Sequence, residues 1–137
     1  MLIKLLSGLA VAATIAVSYA SGGAAAETGY APQTSNERGI RITAILKNKP
    51  TGSGTWDFEV TLESHTQSLD DDLAKSSVLV ADGTQYTPLS WEGAPPGGHH
   101  RKGILHFKAN VPQSRSMELQ IRLAADAAPR SFKWLLK

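Results

Sequence analysis

A chain of 137 residues with 14 basic and 12 acidic side chains has room for one domain and carries little net charge, +2 with neutral histidines. The absence of cysteine excludes structural disulfides, zinc–thiolate sites, iron–sulfur clusters and thiol catalysis together. The even mixture of signs disfavours nucleic acid as a partner, which would call for a clustered basic face; a pI of about 9.0 reflects only a small cationic surplus.

The N-terminus has a single positive residue, Lys4, and then a mostly apolar run from Leu5 to Ala20. Small residues follow, with two candidate cleavage points, after Ala20 and after Ala26. This is the layout of a secretory signal peptide, expected over residues 1–26. A retained anchor is the alternative. However, the run includes Ser7, Gly8, Thr14 and Ser18 and falls short of the roughly 20 strongly apolar residues a span needs. Cleavage leaves no membrane span and delivers the chain to the periplasm or the extracellular space. Residues 27–38 hold almost no large apolar side chain and read as a flexible lead-in that cannot repay its ordering entropy.

From Gly39 to the C-terminus the pattern is that of a β domain. Ile40 and Ile42 alternate with Arg41 and Thr43, and the run continues to a turn at Asn48–Gly54. Trp56, Phe58, Val60 and Leu62 then alternate strictly with Asp57, Glu59, Thr61 and Glu63, so one face is buried and the other wet. The two runs predict a hairpin. Ser68 is placed to cap a short helical turn carrying Leu69 and Leu73. Val78, Leu79 and Val80 end at Asp82-Gly83, a hairpin-type turn, and Tyr86 to Trp91 resumes an extended pattern. Leu105, Phe107 and Ala109 alternate with Ile104, His106 and Lys108, and Pro112 closes that run; Met117, Leu119, Ile121 and Leu123 form another alternating run; Phe132 and Trp134 mark a last strand. About seven strands and no long helix predict an immunoglobulin-like β-sandwich, with a small open barrel as the alternative.

Chemistry concentrates in two loops. His65 follows the Trp56–Leu62 run and precedes Asp70, Asp71 and Asp72, while His99 and His100 sit in the Pro/Gly turn of WEGAPPGGHHRKGILHF, Trp91 to Phe107. Imidazole with carboxylate suits copper or zinc when three or four groups converge. Calcium, which takes six or more oxygens, fits less well. A sandwich gathers its loops at two ends, so His65, Asp70, Asp72, His99 and His100 are the expected metal set. Adjacent strand residues point to opposite faces, so His99 and His100 share one ion only if Gly97-Gly98 breaks the pleat. The same residues admit a plainer reading, in which the aspartates favour a helix N-terminus, the histidines bond loop backbone, and His99–Lys102 is an exposed polar turn. His106, opposite Leu105 and Phe107, reads as solvent-facing. No Gly-x-Ser-x-Gly elbow or phosphate-cradling loop is present, which points away from catalysis. Trp91, beside the Pro/Gly loop, offers a third reading as a sugar-stacking platform.

The pattern Ser64-His65-Thr66, then Leu69, Asp70, Asp72, Leu73 and Ala74, then Trp91, Pro95, Gly97-Gly98-His99-His100, Gly103, Leu105 and Phe107 resembles a family of small exported bacterial and archaeal proteins without an established activity. The resemblance covers about half of the chain beyond the leader. It implies that the two loops form one polar site, either a metal site or a buried structural network. The expectation is therefore an exported, non-catalytic binding module whose partner is a copper or zinc ion, or alternatively an envelope protein, or a glycan at Trp91.

Overall fold

The computed structural model of the protein describes residues 31–48, 54–108 and 115–136. The leader, residues 27–30 of the lead-in, and the Ala109 and Pro112 expected at a strand end lie outside them. Among the described residues, nine strands and one short helix follow in order. They are β1 (Gln33–Glu37), β2 (Ile40–Asn48), β3 (Trp56–Ser64), α1 (Leu73–Ser76), β4 (Ser77–Ala81), β5 (Thr84–Tyr86), β6 (Ser90–Gly93), β7 (His100–Phe107), β8 (Ser116–Ile121) and β9 (Arg130–Leu135).

The strands form two antiparallel sheets, ordered β1-β2-β3-β7-β6 and β5-β4-β8-β9. The two layers make a β-sandwich and do not close into a barrel. Period-two patterning is the cause. Trp56, Phe58, Val60 and Leu62 face inward from β3, beside Ile40, Ile42 and Leu46 of β2 and Leu105 and Phe107 of β7. Leu79, Leu119, Ile121, Phe132 and Trp134 meet them from the other sheet, all buried. Phe58 joins the layers: its ring lies 5.7 Å from Phe107, edge on, and 5.3 Å from Trp134. The β2–β3 and β4–β5 hairpins form as their alternation and the Asp82-Gly83 turn require, with both turn residues at positive φ. Among the described residues no helix is long and apolar enough to cross a membrane.

Two expectations are corrected. Gln33–Glu37, inside the stretch read as a flexible lead-in, is a strand paired along its length with β2. Its stability comes from the main chain and not from apolar side chains: Arg130 donates to the Glu37 carbonyl at 2.9 Å, and Trp134 Nε1 donates to the Ala31 carbonyl at 2.8 Å. The helical turn is capped by Asp72, whose carboxylate accepts from Ala74 N at 3.0 Å; Ser68 instead donates its hydroxyl to Asp70 at 2.6 Å. Ser68 stands too far upstream to reach the first free amides of α1.

The register places one end of the sandwich where sequence reading put the chemistry. Ile40 faces Ser64, Glu63 faces His100, and Ser77 faces Ile121, which itself faces Arg130. The β1–β2 turn, the segment 65–76, the loop 94–99 and the loop 122–129 therefore gather at this end, here called the tip.

Candidate functional site

The two loops do lie side by side. Leu69 N donates to Gly98 O at 2.8 Å and Gly97 N donates to Leu69 O at 2.8 Å, a two-bond bridge between segments far apart in sequence. Ser64 N donates to His99 O at 2.9 Å. Gly97 and Gly98 have φ of 117° and 75°, so the pleat breaks there in conformations that glycine alone adopts without cost.

The group that fills the space between the loops is an arginine. Arg101 is 1% exposed. Its Nη1 donates to the carbonyls of Leu69 (3.2 Å) and Asp71 (2.7 Å), and its Nη2 donates to that of Ala94 (3.1 Å). The guanidinium lies over the indole of Trp91, 5.8 Å from the ring centroid. Burial pulls its pKa below the ordinary arginine value, while the neighbouring charges of Asp71, Asp72 and Asp70 oppose that pull. The aspartate run thus stabilises a buried cation through space. Arg101 Nε is buried with no acceptor among the described residues.

A second buried arginine fixes the other half of the tip. Arg130 donates to Ile40 O at 2.7 Å and to Glu37 O, and pairs with Asp126 through Nε at 3.0 Å and Nη2 at 3.2 Å. Asp126 also accepts from Leu123 N at 3.3 Å. The halves are joined by Asp71, whose carboxylate accepts from Ala124 N at 2.8 Å. The four segments form one hydrogen-bonded unit.

The five residues expected to hold a metal do not converge. Among the described residues, no three His, Asp or Glu side chains are arranged to hold a metal ion. His65 and His99 are exposed at the surface. The His100 side chain is 65% exposed, with Nδ1 3.5 Å from Glu63 Oε1. Asp70 accepts from Ser68, and Asp72 caps α1. The physical reason is that strand parity points Arg101 inward, with Gly103, Leu105 and Phe107, and so turns His100 outward. Trp91 is engaged within the tip as well. Its indole is half-buried against the core, its Nε1 donates to Ala94 O at 2.9 Å, and Arg101 lies over its ring. No protein-family model and no curated protein sequence matches this chain.

His106, read from the sequence as solvent-facing, is a correction: its side chain is only 20% exposed and is paired. Its Nδ1 donates to Asp57 Oδ1 at 2.6 Å across the β3–β7 ladder, and Asp57 accepts a further bond from Thr55 Oγ1 at 2.8 Å. Nε2 lies 3.2 Å from Glu92 Oε2, close enough for charge attraction, though it is not aligned as a hydrogen bond. Burial works against the imidazolium, but the Asp57 bond and the Glu92 contact outweigh it and raise the pKa above the ordinary histidine value. Only the strand register reveals this partnership. Arg101 and Arg130 did leave a signal, since each lies in phase with the buried residues of its strand.

Proposed function

We propose that the protein is an exported, non-catalytic binding module of the cell envelope, and that its tip is a preformed platform for a protein partner. The observation that carries this reading is the Arg101 clamp. It fixes the conformation of both loops from inside and leaves His65, His99 and His100 on the outer surface, free to contact another molecule. A loop held this way loses little conformational freedom on binding, which favours affinity by preorganisation. Beside His65 the tip carries a polar depression of about 320 Å³ that includes Arg41 and Glu63, so the platform offers both signs of charge.

Site-specific photo-crosslinking in the native envelope tests the proposal. A photoreactive residue at His99 or His65 is expected to give a discrete protein adduct, and one at Asp82, at the opposite end of the sandwich, is expected to give none. Equal adducts from both ends, or no adduct from the tip, would overturn the reading.

A further inference from the structure

Beside the platform, on the outer face of the second sheet, lies a depression of about 470 Å³ between α1, β4, the end of β8 and the 122–129 loop. We infer that this pocket binds an acylated α-amino acid with an apolar side chain, either free or as the last residue of a peptide. Its volume falls within the roughly 300–1,000 Å³ of small-ligand sites. The inference does not rest on the platform proposal, since it concerns different side chains.

The charge balance of the pocket selects an anion. Two carboxylates line it, and both are engaged from behind. Asp126 is bonded to Arg130 through both oxygens, and Asp71 accepts from Ala124 N while facing buried Arg101. The two cations in the wall, Lys75 and Arg122, are exposed, and neither has an ion-pair partner among the described residues; Arg122 has only a long contact, 3.5 Å, to the Ala127 carbonyl. Two cations at one opening suit a single carboxylate.

Neighbouring groups define what the carboxylate is attached to. Val78, half-buried, and Pro129, exposed, give the pocket an apolar side, which favours a hydrocarbon side chain over a bare inorganic anion. Gln120 adds a direction. Its Nε2 donates one of its two hydrogens to Glu118 Oε1 at 2.9 Å, and a carboxylate there can only accept, so the contact fixes the orientation of the amide and leaves the Gln120 oxygen as an acceptor. That oxygen suits an N–H donor lying close to the ligand's carboxylate, as in an N-acylated amino acid. The three chemical features coincide in a C-terminal residue such as leucine.

Amide chemical shifts of the full chain, followed during titration with N-acetyl-leucine, Ac-Ala-Ala-Leu with a free carboxyl group, and the same peptide amidated, test this directly. Shifts at Lys75, Val78, Arg122 and Ala124 are expected with the free acids and not with the amide. The double variant Lys75→Gln/Arg122→Gln, both exposed positions, should weaken binding by about tenfold with the remaining spectrum unchanged, while Lys75→Arg should retain it. Added salt should weaken binding, because the charges are solvent-accessible. A response to N-acetyl-leucine alone identifies a free acylamino acid as the ligand, and a response to the peptide acid alone identifies a chain end. Equal response to the amide, no response to either acid, or unchanged affinity in the double variant would overturn the inference.

Discussion

Replacing Arg101 with methionine keeps much of the buried volume and removes the fork that joins the tip loops. The cost can be worked from the partners left behind. The Asp71 carbonyl loses its only donor among the described residues; an unsatisfied buried group costs about 1–3 kcal/mol, and the part-buried position of this one puts it at the lower end of that range. The Leu69 and Ala94 carbonyls keep Gly97 N and Trp91 Nε1, so each lost bond there adds about 0.5–1.5 kcal/mol. Relief from burying a cation offsets part of this. The expected net loss is about 2–4 kcal/mol. Arg101→Lys is expected to fall close to Arg101→Met, because one ammonium cannot reach carbonyls on both sides of the clamp. Urea unfolding followed by fluorescence of Trp56, Trp91 and Trp134 measures the difference. A loss under about 1 kcal/mol for Arg101→Met, or full retention of stability in Arg101→Lys, would refute the assignment of the fork as the clamp.

Three further outcomes are expected. Gly103→Ala should cost about 1–3 kcal/mol in the same unfolding assay, because a Cβ there would lie 2.6 Å from Trp91 Cζ2 and 2.7 Å from the Glu92 carbonyl; a neutral effect would mean that Trp91 repacks freely. Asp126→Ala should cost about 3–5 kcal/mol, since it leaves Arg130, whose side chain is 1% exposed, with only the exposed Glu37 carboxylate at 3.9 Å as counter-charge; calorimetry showing an unchanged melting temperature would contradict it. The raised pKa of His106 makes its contribution to stability complete below the ordinary imidazole value of 6.5, and that contribution is lost as pH rises through the higher folded value. His106→Gln should therefore flatten the decline in stability over that window, and an unaltered pH profile would remove the Asp57–His106 pair as its source.

How far the sequence revealed the molecule depends on which interactions are local. The alternation of Trp56–Leu62 and of Met117–Ile121 is written into neighbouring residues, and so the strands, the two-layer architecture and the buried Trp56 and Trp134 were legible. Strand β1 was not, because its stability lies in backbone bonds to β2 and in Arg130 and Trp134, about a hundred residues away. The meeting of the two tip loops was legible from the way a sandwich gathers its loops at two ends. The inward group was misjudged because ligand chemistry drew attention to His99 and His100, whereas strand parity, counted back from Phe107 and Leu105, points at Arg101. The Asp57–His106 pair needed the β3–β7 register, which no single stretch of sequence contains.

Two agents could hold the tip together, an arginine or a metal ion drawn in by the histidines. Hydrogen exchange at the Leu69 and Gly97 amides, measured before and after stripping with a strong chelator, separates the two most directly. An arginine clamp predicts slow exchange at both amides, unchanged by the chelator and accelerated in Arg101→Met. Exchange that quickens when metal is removed, and slows again on adding zinc or copper, would contradict it.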